Sequence, residues 1–318
     1  MTAKKRNPDG EKLSGFVVLR NFTHCGNCGK LYFCGMIGFN LTFVRRYFRS
    51  QLVQKFSERE AEQLLRILFE DLFGLDRMKI LMTPTLSIDE FQYHQMEMAV
   101  ADLLNDRPIQ YVTGMAEFCD MKFKVNESVL IPRPETEEMV RKIVAQDIHP
   151  KRIWDVGTGS GCIAVSLAKC FSDAEVFAFD VSEKALQVAE SNAVLNKVKV
   201  NFIHDDVLDP HSEIFSQPVD LVVSNPPYVC EKERKTMENN VLDWEPENAL
   251  FVPDNDPLLF YRQILHLASA QLTVNGQVWL EINEAFGAEM LGLCKAEGFD
   301  KAEIYNDFAE KPRICKAW

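Results

Sequence analysis

The sequence predicts an α/β protein, a doubly wound parallel sheet preceded by a small helical module. Three observations carry this. From Lys151 onward, short apolar runs alternate with helical stretches, the pattern of a parallel sheet covered on both faces. The first of these strands, residues 153–156, runs directly into Gly157-Thr158-Gly159-Ser160-Gly161, and the second ends on Asp180. Ahead of them, residues 57–105 place apolar side chains at helical spacing.

Composition narrows the function classes. The chain has 318 residues, 47% hydrophobic and 26% charged, enough for about two domains with full cores. It contains no run of about 18 uninterrupted apolar residues, so a membrane-spanning role is excluded. Residues 1–50 hold nine Lys/Arg and two Asp/Glu, a net of +7, whereas the whole chain is −12, so the remainder carries −19. Such a body repels polyphosphates and argues against a stable nucleic-acid partner. It suits a cationic protein partner, which it would steer into contact. Six of the nine cysteines lie beyond residue 100 without pairing pattern and read as reduced, packed thiols. His24-Cys25-Gly26-Asn27-Cys28, followed by Cys34, has a Cys-x2-Cys spacing but no second pair, so it reads as a thiol cluster and no metal is expected.

Residues 1–56 form a basic N-terminal segment. Within it, residues 36–56 start at Met36 and carry four basic residues and no acidic one, mixed with Phe, Leu and Ser. That is the composition of an organelle-targeting presequence, giving an expectation of a mitochondrial location; the alternative is a basic helix leading into the first domain. Residues 57–106 form a helical domain, which either serves packing alone or acts as a substrate-docking platform. Ser57-Glu58-Arg59-Glu60 is a capping box, Ala61, Leu64, Leu65, Leu68, Phe69 and Leu72 share one face, and Gly74 ends the helix. Pro84 falls in a turn, and Ser87-Ile88-Asp89-Glu90 predicts a second capping box opening a helix to about Asn105. Residues 107–131 predict a β-hairpin connector. Met121-Lys122-Phe123-Lys124-Val125 alternates strictly, and Ile109-Gln110-Tyr111-Val112 before Gly114 reads as its partner strand. The catalytic domain takes residues 132–318, with Pro134 at the first position of a helix reaching about Ala145.

The glycine loop lets the backbone turn sharply and approach a ligand, while Asp180 can accept two ribose hydroxyls. A dinucleotide loop has Gly-x-Gly-x-x-Gly with a pyrophosphate on the helix end. Here the spacing is Gly-x-Gly-x-Gly after Asp155, which suits S-adenosylmethionine, a cofactor without phosphate. The strand 220–224 decides between them, because Asn225-Pro226-Pro227-Tyr228 stands at its carboxyl end, where ligands of open α/β sheets bind. This stiff loop lacks amide donors at both prolines. It offers acceptors, the Asn225 side-chain oxygen and the Pro226 carbonyl, with Tyr228 as a flat face. Those groups fit a planar –NH2, an amide or an exocyclic base amine, in line with a methyl donor.

In these residues the chain resembles the HemK-type peptide-chain release factor glutamine N5-methyltransferases. The resemblance runs from about Ser57 to Trp318. It rests on Pro108-Ile109-Gln110-Tyr111, the run from Leu130 through Pro132-Arg133-Pro134 to Glu137, the loop from Asp155 to Gly161, and Asn225-Pro226-Pro227-Tyr228. The run from Trp244-Glu245-Pro246 to Leu250, and Lys311-Pro312-Arg313, match as well. It implies a helical N-terminal domain, a β-hairpin connector and a seven-stranded Rossmann-like class I methyltransferase domain. It further implies methyl transfer from S-adenosyl-L-methionine to the glutamine of a Gly-Gly-Gln tripeptide in a class I release factor. By this likeness Gly157, Thr158, Gly159, Ser160, Gly161 and Asp180 hold the cofactor. Asp206 and Val207 lie on its adenine side, with Asp205 the neighbouring possibility. Asn225 touches cofactor and substrate, Asn225, Pro226 and Tyr228 are catalytic, and Pro227, Arg133 and Glu245 complete the substrate side. Phe251-Val252-Pro253-Asp254-Asn255-Asp256 departs from a stretch usually richer in glycine. The helical module implies a bacterial-type release factor, hence an organellar one in a eukaryote, met by a single copy of this chain.

An amide nitrogen is a weak nucleophile, so positioning and two hydrogen-bond acceptors would do most of the work. No cysteine or histidine nucleophile and no general base is assigned. The rivals are an adenine-N6 nucleic-acid methyltransferase, a methyltransferase for another glutamine-bearing protein, and a non-enzymatic, cofactor-bound adaptor.

Overall fold

The computed structural model describes residues 16–18, 22–24, 31–33, 37–83 and 86–318. Cys25, Cys28, Cys34, Met36 and Pro84, on which sequence expectations were placed, lie outside them. The chain divides into two compact units, Met1–Thr113 and Gly114–Trp318.

The first unit holds strands β1 (Phe16–Val18), β2 (Phe22–His24), β3 (Leu31–Phe33) and β4 (Ile37–Asn40), then helices α1 (Leu41–Leu52), α2 (Glu58–Phe73) and α3 (Arg77–Met82). Strand β5 (Ser87–Ile88) and helices α4 (Glu90–Leu104) and α5 (Ile109–Thr113) complete it. Ser57 caps α2 and Gly74 closes it, as the sequence predicts. The stretch read as a presequence is a core element instead. Leu41, Val44, Phe48 and Leu52 fall on one face of α1 and are buried with Leu65, Leu68 and Phe69 of α2 and Met96, Val100 and Leu103 of α4. The aromatic and aliphatic residues that imitate a presequence are that buried face, so cleaving it would strip the unit's core.

Two boundaries also move. Asp89, not Ser87, caps α4: its Oδ1 accepts the Gln92 amide at 2.8 Å, and the Gln92 side chain accepts the Asp89 amide at 3.1 Å. Ser87 and Ile88 are held extended by pairing with Asn40 and Phe39, which delays the helix. Ile109-Gln110-Tyr111-Val112 is helical rather than a strand, because Pro108 opens a turn whose carbonyl accepts the amides of Tyr111 and Val112.

The second unit begins with the hairpin β6 (Met115–Phe118) and β7 (Met121–Lys124). Its inward Phe118 and Phe123 lie in the same buried cluster as Ile153, Ile163 and Val165, so the hairpin is part of the second unit's core. There follow α6 (Pro134–Val144), β8 (Arg152–Val156), α7 (Cys162–Cys170), β9 (Glu175–Asp180), α8 (Glu183–Asn196), β10 (Asn201–His204), β11 (Val219–Ser224), β12 (Val229–Cys230), α9 (Asn239–Leu242), β13 (Phe251–Val252), α10 (Leu259–Gln271), β14 (Leu272–Glu281), α11 (Gly287–Ala296), β15 (Ala302–Asn306) and β16 (Pro312–Ala317). Seven strands form one sheet in the order β10-β9-β8-β11-β14-β16-β15. The first five run parallel, and β16 is antiparallel to both of its neighbours.

Strand order reverses between β8 and β11, the place where open α/β sheets bind ligands. The register explains what gathers there. Val156 stands opposite Phe179 on one side and Ser224 on the other, and Ser224 stands opposite Leu280. The next residues on the four strands, Asp180, Gly157, Asn225 and Glu281, therefore emerge side by side along the carboxyl edge.

Candidate active site

A cavity of about 250 Å³ opens at this edge. Its floor is the loop after β8, where Gly157 and Gly161 adopt φ of 72° and 78°, in the left-handed region. At Gly161 a side chain is excluded twice over, since a Cβ would lie 2.9 Å from the Ala189 Cβ of α8. The amides of Gly157 and Thr158 both donate to the Phe179 carbonyl at 2.9 Å, pinning the loop to β9.

Two carboxylates frame the loop. Asp155, fully buried at the end of β8, accepts the Thr158 hydroxyl at 2.6 Å and the Ala164 amide at 3.0 Å on Oδ2. Its Oδ1 is buried without a partner. Burial pushes this acid up to about 7, offset by the Thr158 and Ala164 hydrogen bonds and reinforced by the charge of Asp180. Asp180 accepts Gly159 N on Oδ2 at 2.8 Å and Ser182 N on Oδ1 at 2.9 Å. Burial raises this acid too, against the hydrogen bonds from Ser182 and Gly159. The amide at the start of α7 that could greet a phosphate is thus occupied by Asp155, and Asp180 adds negative charge beside it.

The opposite wall comes from β11 and α6. The Asn225 Nδ2 donates to the Thr136 hydroxyl at 3.0 Å, and that hydroxyl donates to Glu281 Oε2 at 2.5 Å. Glu281 Oε1 accepts the Tyr228 hydroxyl at 3.0 Å. Burial raises the Glu281 acid, while the hydrogen bonds from Thr136 and Tyr228 and the charge of Arg313 hold it down and Glu135 pushes it up. Arg133, which lines the cavity, donates to Glu245 Oε1 at 2.6 Å, and Glu245 Oε2 accepts the Ile131 amide at 3.3 Å.

Two family profiles match the chain, "PrmC N-terminal domain" over residues 44–114 and "Methyltransferase small domain" over residues 135–243. The chain is 43% identical to the release factor glutamine methyltransferase of Flavobacterium psychrophilum, across 85% of this chain and 97% of that one. It is 40% identical to the enzyme of the same name from Bacteroides thetaiotaomicron, across 86% and 98%. The enzyme so named from Enterococcus faecalis is 36% identical across 86% and 99%. The chain belongs to the release factor glutamine methyltransferase family.

In this family member the residues expected from the sequence divide into two groups. Gly157, Thr158, Gly159, Ser160, Asp180, Asp206, Val207, Asn225, Pro226, Pro227 and Arg133 line the cavity. Gly161, Tyr228 and Glu245 do not. Gly161 works by close packing on α8. Tyr228, expected as a flat face toward substrate, donates its hydroxyl to Glu281 at 3.0 Å, the partner that a buried phenol needs. Glu245, expected to touch substrate, is almost wholly buried and serves as the anchor of Arg133. Asp205 lines the cavity, yet its oxygens accept the amides of Asp206, His211 and Ser212, so it builds the loop that presents Asp206 and Val207.

Three residues escaped the sequence reading. Thr136 sat unremarked in the run ending at Glu137. Glu281 terminates an apolar strand one place beyond Leu280, and its level beside Asn225 follows only from sheet register. Asn192 of α8, fully buried, donates to the carbonyls of Lys124 and Ser160 at 2.9 Å and accepts the Lys124 amide at 2.6 Å, locking the hairpin to the glycine loop. A polar residue in the apolar face of α8 was the available signal. Among the described residues, no cluster of three His, Cys, Asp or Glu could hold a metal ion, and no helix is long and apolar enough to cross a membrane.

Proposed function

We propose that this methyltransferase transfers the methyl group of S-adenosyl-L-methionine to the side-chain amide nitrogen (N5) of the glutamine in the Gly-Gly-Gln tripeptide of a class I peptide-chain release factor. One observation carries the reading. Asn225 and Pro226 line the cavity together with the glycine loop, and Asn225 donates its amide nitrogen to Thr136, which leaves its Oδ1 as the group free to accept from a ligand. A primary amide has two N–H groups to satisfy, and this pair of acceptors matches them. The relatives bear the name of that reaction.

The residues fit S-adenosylmethionine in kind. Asp180 would take its ribose hydroxyls; Val207, Phe179 and Ile163 offer an apolar berth for the adenine. The cofactor supplies an activated methyl on a sulfonium. Everything else is supplied by the chain: Asn225 and Pro226 accept the amide hydrogens, orient the nitrogen and draw charge onto it as it attacks. The amide proton leaves to water once the nitrogen is alkylated.

The cavity argues against the nucleic-acid reading. Arg133 is the one cation among its lining residues, and it is tied to Glu245, while Asp180, Asp205 and Asp206 are acidic. We propose a protein partner that acts with a single copy of the enzyme, and the helical unit as its docking platform. Nothing in the fold supports an organellar destination: residues 41–52 are a core helix, and the relatives named above are bacterial.

The test is methyl transfer from labelled S-adenosylmethionine to a purified class I release factor, beside a copy with Gln→Asn in its Gly-Gly-Gln loop. Label on the first alone is the expected result. Equal labelling of both would overturn the residue assignment; label on neither, with the cofactor bound, would overturn the substrate.

A further inference from the structure

We propose that Glu281 and Thr136 are positioning residues that set the orientation of the Asn225 amide and thereby make Asn225 an acceptor toward substrate. The inference rests on the reading of this cavity as an amide-methylating site; Glu281 does not line the cavity, and Thr136, which does, is taken to act through Asn225.

The argument is a count of hydrogens. A threonine hydroxyl has one proton and two lone pairs. Ionised, Glu281 can only accept, and its Oε2 lies 2.5 Å from the Thr136 oxygen, so the hydroxyl proton is committed there. Toward Asn225 the hydroxyl then offers only a lone pair. Asn225 must answer with its Nδ2, found at 3.0 Å, and its oxygen becomes the free end. The second oxygen of Glu281 accepts the Tyr228 hydroxyl at 3.0 Å, so both oxygens of this buried carboxylate receive a proton donor. Three segments far apart in sequence converge to make this chain. Sheet register brings Glu281 of β14 level with Asn225 after β11, and α6 lowers Thr136 between them.

The consequence is directional. An amide at position 281 could donate to the Thr136 oxygen, releasing the hydroxyl proton toward Asn225. Asn225 would then turn its oxygen to Thr136 and present –NH2 to the cavity. A glutamine –NH2 arriving there would meet donor against donor, with no acceptor to orient or polarise it.

The experiment compares the full-length wild type with Glu281→Gln, Thr136→Val and Thr136→Ser. Four quantities are read: kcat and KM for a release factor, the dissociation constant of S-adenosylmethionine, and solvent exchange of the Asn225 side-chain amide protons by 15N NMR. Glu281→Gln and Thr136→Val should lower kcat roughly 100-fold, the scale of losing one preorganised polar contact to a reacting centre. Cofactor affinity should stay within about two-fold of wild type, since the cofactor side of the cavity is untouched. Thr136→Ser should restore most of the rate lost in Thr136→Val, because it returns the hydroxyl without the methyl. One Asn225 amide proton should exchange slowly in wild type and Thr136→Ser, and fast in the other two. Wild-type kcat in Glu281→Gln and Thr136→Val, or equal loss in Thr136→Ser and Thr136→Val, overturns the proposal. Fast Asn225 exchange in the wild type overturns it as well, and this readout needs no substrate. If Glu281→Gln fails to fold, the Thr136 pair and the exchange measurement still decide. Absence of transfer by the wild type would instead strike the proposed function.

Discussion

Asp180 Oδ2 accepts the backbone amide of Gly159 at 2.8 Å, fastening the end of β9 to the middle of the glycine loop. The same carboxylate lines the cavity, where the proposed function gives it the ribose hydroxyls of the cofactor. Asp180→Ala removes both. The expected outcome is a cofactor dissociation constant raised at least 10-fold, because each hydrogen bond to a charged group contributes about 1.5–3 kcal/mol. Asn225→Ala should do the reverse, losing turnover while keeping most of the cofactor affinity. Calorimetric titration beside a methyl-transfer assay at saturating cofactor separates the two; unchanged affinity in Asp180→Ala would refute the assignment.

Much of this site was legible in the sequence because its signals are local. The glycine loop, Asp180 and Asn225-Pro226-Pro227-Tyr228 each stand where a strand ends, and strand ends can be read from a run of apolar residues. Side-chain direction could not be read so. Tyr228 looks toward Glu281 and Glu245 toward Arg133 because partners 53 and 112 residues away are brought beside them by the fold. Thr136 and Glu281 were missed for the same reason, being 145 residues apart. In the helical unit the failure was different. Residues 41–52 have the composition of a targeting signal and the periodicity of a core helix, and only packing tells which property matters.

The two glycines that flank the loop predict unequal costs. Gly157 has φ of 72° with open space around a would-be Cβ, so Gly157→Ala bears only the left-handed backbone, about 1–2 kcal/mol. Gly161→Ala bears that strain and also drives its methyl to 2.9 Å from the Ala189 Cβ, adding about 1–3 kcal/mol of overpacking. Urea unfolding should rank Gly161→Ala clearly the less stable. Equal midpoints would mean that α8 can retreat from the loop.

Asp155 predicts a pH dependence of stability. Its acid is raised in the folded protein to about 7 from an ordinary value of 3.8, mainly by burial. Between those values the folded state binds more protons than the unfolded one, so this group's contribution to stability falls as pH rises from about 4 to about 7 and is flat above. Asp155→Asn removes the titration. The difference in unfolding free energy, wild type minus variant, should therefore shrink or turn negative on going from pH 5 to pH 7. A difference that stays flat over that interval would show that the folded protein holds Asp155 in its charged form throughout.

Phe48 predicts which reading of the N-terminal segment is right. Its side chain is 2% exposed on α1, with its ring centroid 5.4 Å from that of Tyr93 of α4. Removing a buried phenylalanine costs about 3–5 kcal/mol, a large part of what a unit this small can hold. Phe48→Ala should therefore raise amide hydrogen exchange along α2 and α4, helices that share no sequence with the mutated one. Arg46→Ala, on the exposed side of the same helix, should change exchange there little, within about 0.5 kcal/mol. A segment that served only as an address would give the same result for both substitutions, namely none. Loss of protection confined to Phe48→Ala would establish that a sequence resembling a removable signal is, in this chain, part of the interior.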